Sequence, residues 1–188
     1  KEFIKGYVPG SWFIGLDGAF APWVGNLIKD INQKIVIICP EGREEEVITR
    51  LARVGYDNAV GFLKGSFLSW KKTGRKVDII IQETAKDLEE KNKKEINILD
   101  VRKPTEYNVE HIESAKNKPL GDLFNHYKEI DKEKKYHIHC AGGYRSVIYI
   151  SILKSKGYKN LIDVIGGYAA IKRTKIPKTE IFCSNTKN

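Results

Sequence analysis

The stretch His139-Cys140-Ala141-Gly142-Gly143-Tyr144-Arg145-Ser146 gathers the residue types best equipped for chemistry in this sequence. A strand-like run from Tyr136 to His139 leads into Cys140, a small Gly-rich loop follows, and a helix is expected to begin near Ser146. Such a junction aims successive backbone N–H groups, and the positive end of a helix dipole, at one point. A thiol held there is stabilised as thiolate, so Cys140 is expected to have a lowered pKa. Gly142 and Gly143 permit the backbone conformations of such a cradle. Arg145 can add fixed positive charge or bind an anionic substrate. The chemistry implied is attack by a thiolate on an anionic or electrophilic centre. A buried free cysteine often does nothing but pack, yet here Gly-Gly, Arg and a helix start stand in register with it.

The elements that must position this loop are legible as two copies of one unit. Gly55-Tyr56-Asp57-Asn58 recurs as Gly157-Tyr158-Lys159-Asn160, and Gly65 and Gly167 keep the same offset. Ile35 to Cys39 matches Tyr136 to Cys140, and Tyr7-Val8-Pro9-Gly10 lies opposite His111-Ile112-Glu113-Ser114. In the second copy strands are expected at Asp78 to Gln82, Ile96 to Val101, Ala115 to Lys118, Tyr136 to His139 and Asn160 to Ile165. Helices are expected from Thr84 to Lys91 behind a Thr84/Asp87 capping pair, from Asp122 to Ile130, from Ser146 to Lys156 and from Tyr168 to Lys172. A turn or short helix spans Pro104 to Glu110. This alternation predicts an α/β fold, each copy a parallel sheet flanked by helices. Lys1 aligns with Thr105, so nothing in the first copy matches Asp78 to Pro104. The first copy is therefore expected to be N-terminally truncated, the chain being a fragment of a longer protein. Lys71 to Lys76 reads as the linker, giving domains 1–75 and 76–188.

Composition bounds the partners. Over 188 residues the net charge is +9, from 33 Lys+Arg against 24 Asp+Glu, but the excess is scattered lysine rather than a stripe. Anionic small molecules are favoured over nucleic acid. No apolar run approaches the roughly 20 residues of a membrane span. Cys39, Cys140 and Cys183, odd in number and far apart, are no disulfide framework, which favours a reducing, cytoplasmic setting. His111, His126, His137 and His139 show no metal-ligand spacing, and no metal or cofactor is expected in these residues.

The second copy resembles a rhodanese (sulfurtransferase) domain. The family's Cys-x-x-Gly-x-Arg loop stands as Cys140 to Arg145, and its early strand motif as Ile98-Leu99-Asp100-Val101-Arg102 followed by Glu106. Its next signature stands as His111-Ile112-Glu113-Ser114-Ala115-Lys116-Asn117-Lys118-Pro119-Leu120, with Ser114 where Gly is usual, and its Gly-Gly as Gly166-Gly167. The resemblance implies that Cys140 takes sulfane sulfur from thiosulfate or a low-molecular-weight persulfide and passes it to a thiol or cyanide. The backbone amides of Ala141, Gly142, Gly143, Tyr144, Arg145 and Ser146 would hold the persulfide's charge. Asp100 and Arg102 are expected in support, pairing near the loop base or with Glu106, and His111 and His139 as packed histidines. Related phosphatases carry a Cys-to-Arg loop one residue longer. The four residues here, Ala141 to Tyr144, fit sulfur better than phosphate.

The first copy carries Cys39-Pro40-Glu41-Gly42-Arg43 at the matching place. Pro40 removes a donor and Glu41 brings negative charge, so Cys39 is expected to be inert and the copy non-catalytic. Asp17 to Gly25 and Leu51 to Asn58 resemble the tandem rhodanese tail of metallo-β-lactamase-fold proteins, some of which are persulfide dioxygenases. That resemblance implies a metal-binding domain upstream. The rival readings are a non-catalytic interaction module and a Cys-dependent phosphatase.

Overall fold

The computed structural model describes residues 2–91 and 96–180. The expected alignment of Lys1 with Thr105, and any part played by Cys183, lie outside the described residues. Contacts divide the chain into two compact units, Glu2–Ile79 and a second beginning at Ile80.

The first unit runs α1 (Glu2–Lys5), α2 (Phe20–Leu27), β1 (Ile35–Ile37), α3 (Glu44–Ala52), β2 (Ala59–Phe62) and α4 (Ser66–Lys72). β1 and β2 pair in parallel, Ile35 opposite Ala59 and Ile37 opposite Phe62. Three glutamates open α3, where the helix dipole favours them. Its Val47 and Leu51, one turn apart, pack with Phe20, Val24, Ile37 and Tyr56 into a small core.

The second unit continues β3 (Ile81–Glu83), α5 (Ala85–Lys91), β4 (Asn97–Asp100), α6 (Pro104–Val109), β5 (Ala115–Asn117), α7 (Leu123–His126), β6 (Tyr136–His139), α8 (Arg145–Ser155), β7 (Leu161–Val164) and α9 (Gly167–Ile171). Its sheet has five parallel strands in the order β3-β7-β6-β4-β5. Each parallel neighbour requires a crossover, and helices supply them. The register assigns the two faces. Ile98, Ala115 and Val164 share one, where Ala85 and Leu88 of α5 and Tyr168 and Ile171 of α9 cover them. Leu99, Ile138 and Asp163 share the other. α8, buried from Ser146 to Leu153, packs on β6 and β7. A helix apolar on nearly every side is what a buried position demands.

The expected alternation of strand and helix is found, with two departures. The first strand begins at Ile81 rather than Asp78, because Asp78 is paired with Tyr7 through reciprocal backbone hydrogen bonds of 2.9 and 3.0 Å. The helix expected from Asp122 to Ile130 is broken into α7 between two 3-10 turns, Leu120–Asp122 and Tyr127–Glu129. Leu120, Leu123, His126 and Ile130 are buried, the first three at a spacing of three that matches 3-10 geometry rather than α. The Thr84/Asp87 capping pair is present. Thr84 N–H donates to the Asp87 carboxylate at 2.9 Å, and Asp87 N–H donates back to Thr84 Oγ1 at 3.1 Å.

The repeated Gly-Tyr-x-Asn does the same work in both units. Gly55 (φ 87°) and Gly157 (φ 89°) take left-handed backbone just past α3 and α8. Tyr56 N–H then reaches back to Leu51 O at 3.0 Å and Tyr158 N–H to Leu153 O at 3.2 Å, the bond that closes a Schellman helix end. The Tyr56 and Tyr158 hydroxyls donate to the carbonyls of Ile28 (2.6 Å) and Tyr127 (2.5 Å). The Asn58 and Asn160 carbonyls accept from the first strand residues Ile35 and Tyr136.

Polar groups buried in the second unit set its acid sensitivity. His126 and His139 are both held below their ordinary value of 6.5, chiefly because burial disfavours the charged ring. Folded, they stay neutral while the unfolded chain's imidazoles take up protons. The stability they contribute is complete above pH 6.5 and is lost as the pH falls through that value toward their folded pKa. Thermal melts are expected to show Tm declining between about pH 7.5 and 5.5, with a shallower decline in His126→Gln. An identical decline in that variant would remove His126 from the account.

Candidate active site

Cys140 directly follows β6, at the carboxyl ends of the parallel strands, where open α/β sheets gather ligands. The backbone then turns through Gly143 at φ 98°, a conformation for which glycine is suited, and enters α8 at Arg145. The turn brings the Gly143 N–H onto the Cys140 sulfur at 3.1 Å. Ser146 Oγ, one residue into the helix, donates to the same sulfur at 3.6 Å. Cys140 is only 1% exposed, so its sulfur meets fixed donors and the start of an 11-residue helix in place of bulk water. That arrangement favours negative charge on sulfur or on an atom attached to it.

A second helix start clamps the loop from the other side. Tyr168 N–H donates to Cys140 O at 2.7 Å and Ala169 N–H to Ala141 O at 3.1 Å. This closeness requires Gly166 (φ 75°) and Gly167 (φ 55°). A Cβ on Gly167 would collide with Cys140 O and lie 2.9 Å from Ala141 C. The first unit makes the same double left-handed turn at Gly65 (φ 72°) and Ser66 (φ 59°), one position off the sequence alignment of Gly65 with Gly167. Gly167→Ala is expected to destabilise the second unit by more than the about 1–2 kcal/mol of left-handed backbone alone, since the clash adds to it. Urea denaturation measures it, and a loss below about 0.5 kcal/mol would contradict the clamp.

The charged residues pair more tightly than the sequence implied. Arg102 binds Asp100, Nη2 to Oδ2 at 2.6 Å and Nε to Oδ1 at 3.0 Å, with the side chains 6% and 0% exposed. Arg102 also donates to Glu110 O at 2.8 Å and lies over the Tyr168 ring at 3.9 Å. The two thus pair near the loop base, and Arg102 does not take Glu106. Arg145 takes Glu106 instead, through a fork of 2.5 and 2.8 Å. The Arg145 guanidinium holds the Glu106 carboxyl below its ordinary range, against the opposing effect of burial. The fixed charge expected of Arg145 is therefore compensated by a carboxylate from α6, and its planar fork ties α6 to the loop.

His139 is fully buried, its ring stacked on Tyr168 and its Nδ1 3.4 Å from Cys140 O. His111 donates from Nδ1 to Tyr107 O at 2.8 Å and stacks on the Tyr107 ring. Both sit as packed side chains. The residues that sequence reasoning passed over lie beneath the loop. Asp163 from β7 is 1% exposed and accepts from Gln82 Nε2 of β3 at 2.7 Å. The one signal available was an acid inside the apolar run Leu161 to Ile165 of a strand buried on both faces.

In the first unit Cys39 follows β1, and Gly42 (φ 83°) precedes Arg43. Arg43 is held by Asp17 at 2.8 and 3.1 Å and by Glu46 at 2.8 Å. Burial raises the Cys39 pKa, with Glu44 adding to the rise and Arg43 opposing it.

A family model described as the rhodanese-like domain matches residues 1–73 and again 82–174. Curated relatives include a Bacillus subtilis (strain 168) protein named as a sulfur carrier, YrkF, 35% identical over 72 residues. Another is the thiosulfate sulfurtransferase GlpE of Coxiella burnetii (strain RSA 331), 32% identical over 80 residues, or 43% of this chain and 75% of the relative. The adenylyltransferase and sulfurtransferase uba4 of Ogataea parapolymorpha is 34% identical over 87 residues. The matches take in 39% of the first relative's length and 22% of the last. Among solved structures, the rhodanese-like domain of the Anabaena sp. Alr3790 protein superposes with a TM-score of 0.51 at 28% identity, covering 57% of this chain and 84% of that one.

Proposed function

Given that this chain belongs to the rhodanese-like domain family, we propose that its second unit is a sulfurtransferase working through Cys140. The observation that carries the reading is the Cys140 sulfur itself, held at the start of α8 by the Gly143 N–H and the Ser146 hydroxyl. The Cys140 thiolate attacks the outer sulfur of thiosulfate or of a low-molecular-weight persulfide. The donor's S–S bond breaks, and sulfite or the donor thiolate leaves with the electron pair. The negative sulfur now on Cys140 faces the N–H groups of residues 141–146. An acceptor thiolate or cyanide then attacks that sulfur, and Cys140 departs as thiolate. Asp100 and Arg102 act in support: their pair fixes the chain past β4, beside the strand that delivers Cys140.

The first unit is read as non-catalytic. Pro40 lacks an N–H, and burial together with the Glu44 carboxylate moves the Cys39 pKa away from thiolate at neutral pH. A small-molecule donor, a thiol acceptor and a reducing compartment belong to the same reading. The metal-binding domain upstream is supported by the resemblance of Asp17 to Gly25 and Leu51 to Asn58 alone.

The reading is tested by intact mass of the reduced chain after mixing with thiosulfate and, separately, with glutathione persulfide. A gain of one sulfur atom is expected, and the faster donor identifies the class used. No gain from either by folded protein overturns the reading in favour of an interaction module. Hydrolysis of an aryl phosphate in place of sulfur loading would favour the phosphatase.

A further inference from the structure

Beneath the Cys140 loop, on the sheet face covered by α8, a file of polar side chains runs from the exposed Gln82 through buried Asp163 and Ser146 to the sulfur. Gln82 and Asp163 stand opposite each other on neighbouring strands, with Gln82 Nε2 donating to Asp163 Oδ2 at 2.7 Å. Ser146 lies against the same carboxyl and acts on its ionisation as a hydrogen-bond partner does. Its hydroxyl, however, donates to Cys140 Sγ at 3.6 Å, and Asp163 Oδ1 is left buried with no hydrogen-bond partner. Ser146 is 0% exposed and Asp163 and Cys140 are each 1% exposed, so none of the three can turn to bulk water instead.

A hydroxyl has one proton, and the state of Asp163 decides where it goes. An ionised carboxylate would draw the Ser146 proton to Oδ1 and turn an oxygen lone pair toward the sulfur. A neutral acid has its own proton on Oδ1, with Ser146 Oγ as the acceptor at hand. The serine proton is then free to point at the sulfur, and both hydrogen bonds run in one direction and polarise each other. We propose that Asp163 is a positioning residue for Cys140 which, steadied by Gln82 and in its neutral form, aims the Ser146 hydroxyl at the sulfur and at the persulfide formed there. The proposal rests on the sulfurtransferase reading for its purpose, though the relay to the thiolate stands without it.

Burial raises the Asp163 pKa, against the pull of Ser146 and Gln82, in keeping with a neutral acid. The other charged groups around the loop are committed elsewhere. Arg145 is paired with Glu106 and Arg102 with Asp100, while burial holds His139 neutral.

The test is the ultraviolet titration of the Cys140 thiolate, each protein read against its own Cys140→Ser version. Ser146→Ala is expected to move the midpoint up by about one to two pH units, the loss of one hydrogen bond to an anion, and Asp163→Ala to move it up by less, because the serine hydroxyl remains but is no longer aimed or polarised. The double variant is expected to move it no further than Ser146→Ala does. Asp163→Asn, whose amide N–H can donate to Ser146 as the neutral acid does, is expected to keep the parent midpoint, a rescue that a merely structural role would not produce. Should Asp163→Ala not fold, Asp163→Val with Gln82→Leu makes the same comparison with an apolar pair. An unmoved midpoint on removing Asp163, shifts that add in the double variant, or an Asn variant displaced as far as Ala would each overturn the relay. Sulfur loading is scored separately. Loading with an Asp163-independent titration sinks the relay alone, and an Asp163-dependent titration without loading sinks the sulfurtransferase reading alone.

Discussion

Cys140→Ser is expected to load no sulfur from thiosulfate or from a persulfide, a loss of at least about a thousandfold against the parent chain. Serine keeps the shape of the side chain and its hydrogen bond from the Gly143 N–H, so the fold should survive with a stability change under about 1.5 kcal/mol. What is lost is the thiolate: an alkoxide is not available at neutral pH, and an oxygen does not accept sulfane sulfur from an S–S bond as a thiolate does. Intact mass after donor treatment reads the result directly, and urea denaturation certifies the fold. The expectation also separates the two units. Cys39, with its raised pKa and its neighbour Glu44, remains in the variant and should stay unmodified. Sulfur found on Cys39 by peptide mapping would move the chemistry to the first unit and defeat the assignment made here.

Asp100→Ala is expected to be the most damaging single change to stability, at about 3–5 kcal/mol, because it strands the buried Arg102 guanidinium. Four hydrogen bonds join the two residues: one from the Arg102 backbone N–H at 3.0 Å, two from Nε, and one from Nη2. With the carboxylate gone, Arg102 keeps its bond to Glu110 O and the face of Tyr168, neither of which carries a full negative charge, and the nearby Glu106 carboxylate is already forked to Arg145. Replacing both residues by apolar ones of similar size should cost much less than Asp100→Ala alone, since no uncompensated charge is then buried. Equilibrium denaturation of the single and double variants measures the difference. A single variant within about 1 kcal/mol of the parent would show that water reaches Arg102 and that the pair is not the support proposed for the loop.

Much of the fold was legible because its signals are local. The strand at Tyr136 to His139 followed by small residues and then an apolar run announced a strand–loop–helix junction, and the junction is where it was placed. The repeated Gly-Tyr-x-Asn was legible as a repeat before its work was visible, for helix ends of this kind need a left-handed glycine at a fixed step from the last turn. The segment from Asp122 to Ile130 misled because helical propensity is a weak prior. Side chains three apart, held by the core, drew it into short turns.

The sequence by itself determined the α/β architecture, the duplication and the candidate nucleophile Cys140 with its Gly-Gly-x-Arg loop, because each rests on residue type and spacing within a few positions. Only the tertiary structure decided which charges meet. Arg145 and Glu106 lie 39 positions apart in sequence, and Gln82 and Asp163 lie 81 apart. Pairing of that kind is set by strand order and register. β3 lies beside β7 and not beside its sequence neighbour β4, which carries Gln82 to Asp163, and Asp163 under Ser146 and the sulfur.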